Sequence, residues 1–251
     1  MIPTPSSTNS NNFSSPNQSN AQVISYLTLR EMIGIIGISL PFLLMLGTYL
    51  YDDCSPAFQY SISHYYYTKM HILFVGLLCV LGAFLITYKG NQGESNISTI
   101  AGILAILVSV FPDDTVNYLR NSSNCSFVTL QPFGDDVPRV HLISAACLFI
   151  SFAIICAFYF TKPDVPNCDP IKKKRRNFVY RICSAGILLS IFLIFLYIKN
   201  IIPIPQGIKK YFVLTFETTA LFFFGLSWLL KGSLMWPSKK YILPQIIRFF
   251  R

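Results

Sequence analysis

The chain has 251 residues, of which 53% are hydrophobic and only 12% charged, with 22 phenylalanines, a mean hydropathy of +0.50 and a net charge of +9. This balance lies outside the range of water-soluble domains, so lipid is the expected main solvent and a soluble globular enzyme is excluded.

The first 25 residues, rich in Ser, Asn and Pro, carry no charge before Arg30 and no apolar periodicity. They are expected to be a disordered tail, because nothing in them offsets the entropy of ordering. A signal peptide is not expected either, since the basic start is missing and the first apolar run begins too late and is too long.

Six apolar segments follow, at 32–51, 70–88, 97–111, 140–160, 178–198 and 211–230. Five hold about 19 to 21 residues, the length that crosses a hydrocarbon slab of ~30 Å at ~1.5 Å per residue. The third is shorter, covering roughly 22 Å as a helix, so it must thin the bilayer, borrow its flanks or stop below the surface, and in the last case its end, "FPDD", sits recessed. The fold class is therefore all-α: a transmembrane bundle of six helices over residues 26–235, followed by a basic and aromatic interfacial tail at 236–251.

Orientation follows from the cations. With the N-terminus inside, fourteen of the twenty Lys and Arg fall on the cytoplasmic side, and Lys69, Arg120, Arg139, Lys199, Lys209 and Lys210 on the other. The positive-inside rule then puts both termini in the cytoplasm. The run Lys172, Lys173, Lys174, Arg175 and Arg176 lies beside a span, where it is expected to hold anionic lipid headgroups. Orientation accounts for the run, so nucleic acid is not an expected partner.

The same topology sorts the cysteines. Cys79, Cys147, Cys156 and Cys183 are read as small core residues and Cys168 as a reduced cytoplasmic thiol, whereas Cys54 and Cys125 share the outer side and are a disulfide candidate. Gly34, Gly37, Gly76, Gly82, Gly102, Gly186 and Gly225 offer small surfaces for helix contacts.

The outer side also gathers polar groups. In "SISHYYYTKMH", a continuous helix would place Ser61, His64, Thr68 and His71 on one stripe, with Tyr65, Tyr66 and Tyr67 as an aromatic belt at headgroup level. Asp113 and Asp114 end the third span, Arg139 and His141 open the fourth, and Glu217 lies six residues into the sixth. A carboxylate in hydrocarbon costs about 2.5 to 3.5 kcal/mol on insertion scales, so Glu217 must face the bundle, be protonated, or pair with a cation such as Arg139 or a histidine. Its bland alternative is a structural hydrogen bond to Thr215, Thr218 or a neighbouring helix.

The candidate binding set is thus His71, Asp113, Asp114, Arg139, His141 and Glu217. Glu217 and His141 are the catalytic candidates. A divalent metal would draw on His71, His141 and Asp113, a mixed N/O set. No two of these residues show a tight ligand spacing, so their meeting depends on helix packing.

The patterns "SISHYYYT", "FPDD" with "VHLISAA" after a loop, and "FGLSWLLKG" resemble an uncharacterised group of bacterial six-helix integral-membrane proteins. An acid after the third span and a histidine opening the fourth are more distantly similar to the DRAM and Sfk class of membrane proteins, associated with lipids and autophagy. The resemblance covers residues 30 to 232. It implies a six-helix fold in a bacterial inner membrane, with Asp113 or Asp114 and His141 as motif positions; the second acid and His64 depart from the pattern. Four functions follow as expectations: an outer-leaflet pocket binding or sensing a lipid headgroup or small amphiphile, a metal-dependent lipid hydrolase, a proton-coupled transporter, and a ligand-free scaffold.

Overall fold

The structure, a computed structural model, describes residues 16–51, 58–113, 136–162 and 170–232. Seven α-helices and no strand occur among them: α1 (Pro16–Tyr51), α2 (His71–Thr87), α3 (Gln92–Val110), α4 (Val137–Ile154), α5 (Pro170–Ile198), the single turn α6 (Gln206–Lys209) and α7 (Phe212–Gly232). A 3-10 turn, Ser63–Tyr67, precedes α2, and a π turn, Ile155–Tyr159, continues α4. Five helices are long and apolar enough to cross a bilayer, so the chain is an integral membrane protein.

The sixth long helix, α2, has 17 residues and so about 25 Å of length. Of the three outcomes open to the third span, the chain takes the borrowed flank, and the short helix is the second one. α3 recruits the polar stretch from Gln92 and reaches 19 residues, while α2 is the short one because the chain before His71 turns aside. Residues 16–25, expected to belong to a disordered tail, are helical: α1 begins at Pro16, and a proline suits the first helical turn because its missing N–H has no partner to lose there. Residues 1–15 and the interfacial tail at 236–251 lie outside the described residues.

The bundle is closed by α1 against α7, α7 against α5, α2 against α3 and α3 against α4. Two crossings depend on glycine pairs. A Cβ on Gly34 would lie 2.8 Å from the Gly225 carbonyl, and one on Gly82 2.8 Å from the Gly102 carbonyl, so backbones meet where only glycine fits. Gly76, by contrast, meets nothing within 4 Å and serves no contact. A Cβ on Gly232 would lie 3.4 Å from Arg30 Cβ, so α7 ends beside the start of the apolar part of α1, as an even number of crossings requires.

Packing inside is aromatic. Phe152 stacks on Phe224 at 3.7 Å, and Trp228 is fully buried between Tyr88, Phe160 and Phe224. Large apolar side chains such as Phe42, Ile72, Ile143 and Leu189 point outward, the pattern of a surface whose solvent is lipid. Cys156 and Cys183 are buried, with the Cys156 thiol donating to Ser227 Oγ at 3.1 Å. Cys147 is exposed, which corrects its reading as a core residue. Cys54, Cys125 and Cys168 lie outside the described residues, and the disulfide candidate with them.

The end that the positive-inside rule places in the cytoplasm holds buried charge. Arg30 donates to the Tyr88 hydroxyl from Nε (3.0 Å) and Nη2 (2.8 Å), and that hydroxyl donates to Glu94; all three side chains are buried. Lys231 is buried too, its ammonium 3.5 Å from the Phe160 carbonyl. Arg30 and Lys231 are therefore not the loop cations that the orientation rule counted. Lys174 and Arg175 fit that role better, exposed on the first turns of α5.

Candidate functional site

At the opposite end, the chain between α1 and α2 folds over the bundle instead of extending α2 beyond it. The 3-10 turn ends at Thr68, whose backbone is extended and whose hydroxyl caps the turn by donating to the Tyr65 carbonyl at 2.8 Å. The single helical stripe through Ser61, His64, Thr68 and His71 therefore does not form. The tyrosines are not an interfacial belt either: Tyr65 and Tyr67 are essentially inaccessible and Tyr66 is buried. Burial disfavours the ionised phenols, pushing Tyr65 up to about 12 and raising Tyr66.

Two helix termini hold this segment in place. Leu214, in the first turn of α7, has no helical acceptor for its N–H and donates instead to the Tyr60 carbonyl at 3.0 Å. One turn on, Glu217 receives the Ser61 hydroxyl (2.8 and 3.0 Å to its two oxygens) and the Ile62 N–H (2.6 Å). Glu217 is thus held by hydrogen bonds and does not pair with Arg139, which donates to Asp136 at 2.9 Å in an exposed i,i+3 pair. The sequence offered Thr215 and Thr218 as bland partners; the partners are a serine and an amide 155 or more positions away.

The same segment reaches α3. Ser63 Oγ lies 2.8 Å from Ser61 Oγ and 3.2 Å from Asp113 Oδ2, His64 Nε2 is 3.7 Å from that oxygen, and Tyr67 donates to the Asp113 carbonyl. Pro112, just before, is buried, so the end of α3 is covered by the turn. His141, in the first turns of α4, is buried and places Nδ1 2.6 Å from the Phe111 carbonyl. A carbonyl only accepts, so Nδ1 carries the proton and Nε2 is the acceptor of the neutral ring.

These groups surround a cavity of about 690 Å³ between the starts of α4 and α7 and the end of α5. Its floor is Ser61, Ser63, His64, Asp113, His141 and Glu217. Leu142, Ala145, Ile194, Ile198 and Val213 form apolar walls, and Arg139, Lys209 and Lys210, all exposed, stand at the mouth. The end of α5 is fixed against it by a Schellman-type stop: Asn200 takes a left-handed φ of 54°, and Ile201 donates to the Leu196 carbonyl at 3.0 Å.

Of the sequence candidates, Asp113, Arg139, His141 and Glu217 line one cavity, and His64 joins them. His71 does not: its Nδ1 is 2.8 Å from the Tyr66 carbonyl and its ring packs edge-on against Tyr66 at 4.3 Å. Asp114 lies outside the described residues. Among the described residues no group of three His, Cys, Asp or Glu side chains is placed to hold a metal, so His71, His141 and Asp113 do not form a ligand set. Ser63 and the pair Lys209 and Lys210 are members that sequence reasoning passed over. The signal for the lysines was their place among the outer-side cations, next to the sixth apolar run.

The fold and cavity define a class, an all-α integral membrane bundle with a polar chamber under one end. No family model, no curated protein and no solved structure matches the chain. The comparisons therefore bear neither for nor against the resemblance to the bacterial six-helix group or to the DRAM and Sfk class.

Proposed function

We propose that the outer-end cavity binds, and so senses, the anionic headgroup of a lipid or small amphiphile. The observation that carries this reading is the order of its lining: three exposed cations at the mouth, apolar walls from α4, α5 and α7, and hydrogen-bonding groups at the floor. Arg139 with Lys209 and Lys210 suits a phosphate or carboxylate, the guanidinium offering a planar fork and the ammoniums mobile donors. Leu142 and Ile198 are exposed as well as cavity-lining, which gives an acyl chain a path from the headgroup into the surrounding lipid.

The membrane we propose is a bacterial inner membrane with both termini in the cytoplasm. Lys173, Lys174, Arg175 and Arg176 would then engage anionic headgroups of the other leaflet, at about 1 kcal/mol per basic residue. The hydrolase reading lacks a support of the same kind, because His71 is turned away from Asp113 and His141.

The test is mass spectrometry of lipids retained by the full-length chain after mild detergent extraction. Anionic lipid should be retained by the wild type and lost from the Arg139→Ala, Lys209→Ala, Lys210→Ala triple variant. Equal retention by the two proteins would refute the assignment.

A further inference from the structure

The floor contains an unusual run of oxygens. Glu217 Oε2, Ser61 Oγ, Ser63 Oγ and Asp113 Oδ2 follow one another at 2.8, 2.8 and 3.2 Å. Three such contacts need three hydrogens, one in each gap, and two serine hydroxyls supply only two. The Ile62 and Ser63 amides do not make up the difference, because their hydrogens point along separate bonds to Glu217 and to Ser61.

With both carboxylates ionised, one gap is left empty. If each serine donates to its nearer carboxylate, the two hydroxyl oxygens face each other at 2.8 Å with lone pairs only. If Ser63 donates to Ser61 instead, its own oxygen confronts the Asp113 carboxylate bare at 3.2 Å. Either arrangement sets two negative or partly negative oxygens against each other in a partly buried site, where such contacts are costly.

We infer that Glu217 and Asp113 are a proton-binding pair, holding one proton between them through the hydroxyls of Ser61 and Ser63. The proton completes the count in two ways. On Glu217 it donates to Ser61, Ser61 to Ser63 and Ser63 to Asp113; on Asp113 every donation runs in reverse. The two states interconvert when three O–H bonds break and three form along the row, carrying one proton from one carboxyl to the other and one negative charge the opposite way. No heavy atom has to move. His64, 3.7 Å from Asp113, stands at the cavity end of the row, where it can take the proton up or return it.

Among the described residues, the other charged groups lining the cavity are Arg139 from α4 and Lys209 and Lys210 ahead of α7; the imidazole of His141 and the phenols of Tyr60 and Tyr197 also line it. On the proposed headgroup reading, loss of the shared proton takes the floor from one negative charge to two. Affinity for an anionic ligand then falls as the pH rises.

The experiment is infrared spectroscopy of the lipid-free, detergent-purified full-length chain at neutral pH, so it does not depend on whether the cavity binds lipid. The wild type should show one protonated carboxyl C=O band that shifts in heavy water. Glu217→Gln and Asp113→Asn should each abolish it, because either amide supplies a permanent third hydrogen and leaves one ionised acid. Ser63→Ala should shift its pH midpoint and Ser63→Thr should restore it. Absence of the band in the wild type would overturn the inference, as would its loss in only one of the two amide variants, which would assign the proton to a single residue.

Discussion

Replacing Glu217 by alanine separates two physical pictures by the sign of the result. If Glu217 were an acid tolerated in lipid, its removal would stabilise the protein by about 2.5 to 3.5 kcal/mol, the insertion cost of a charged side chain at mid-helix. The structure gives it another role, since it holds the Ile62 amide at 2.6 Å and the Ser61 hydroxyl at 2.8 Å and thereby fastens the chain segment before α2 to α7. Alanine leaves the amide without an acceptor, which costs about 1 to 3 kcal/mol, and removes a charge-assisted bond with a net value of about 1.5 kcal/mol at the low end. Water entering the cavity recovers part of this, so a destabilisation of roughly 2 to 4 kcal/mol is expected. The assay is reversible unfolding in mixed micelles, read by the loss of tertiary aromatic signal. An Ala variant as stable as the wild type, or more stable, would refute the latch.

Other consequences can be checked in parallel. Tyr88→Phe removes the hydroxyl that links Arg30 to Glu94, whose nearest charged atoms are 4.0 Å apart, and should cost about 1.5 to 3 kcal/mol in the same unfolding assay. Gly225→Ala places a methyl 2.5 Å from the Ile38 side chain and 2.6 Å from the Gly34 carbonyl and should lower stability by about 1 to 3 kcal/mol, since backbone as well as a side chain must yield. Tyr65 is raised in the folded state to about 12 from an ordinary 10.0, so the unfolded phenol ionises first. Its contribution is complete below pH 10 and is lost as the pH climbs towards 12, up to roughly 2 kcal/mol, a slope that Tyr65→Phe should flatten in alkaline unfolding curves.

The legible part of the fold was the part set by solvent. Helices that must bury every backbone group in lipid announce themselves as apolar runs: the segment at 211–230 matches α7 to within two residues, and that at 178–198 shares its end with α5, whose start at Pro170 lies in the polar stretch before it. What the sequence hid was geometry without periodicity. Nothing in "SISHYYYT" distinguishes a rising helix from a 3-10 turn laid across the bundle, because the choice depends on Leu214 and Glu217, about 150 positions later, offering partners to Tyr60 and Ser61.

The acids illustrate the same limit. Glu217 was singled out by its cost in lipid, and Asp113 and His141 by their level in the bilayer, and all three do line one cavity. Their partners could not be read, because Ser61, Ile62 and the Phe111 carbonyl are chosen by contact and carry no special residue type. His71 failed as a site residue for a related reason: once the helix starts at His71, its ring is taken up by the Tyr66 carbonyl one turn before it.

The most direct measurement of the headgroup site is chemical protection of Lys209 and Lys210. Both stand exposed at the cavity mouth, while Lys199, equally exposed at the same end of the bundle, is not among the lining residues. In nanodiscs of increasing anionic lipid content, amine acylation followed by peptide mass spectrometry should fall at Lys209 and Lys210 and stay constant at Lys199. Parallel labelling of all three lysines at every lipid composition would contradict the account.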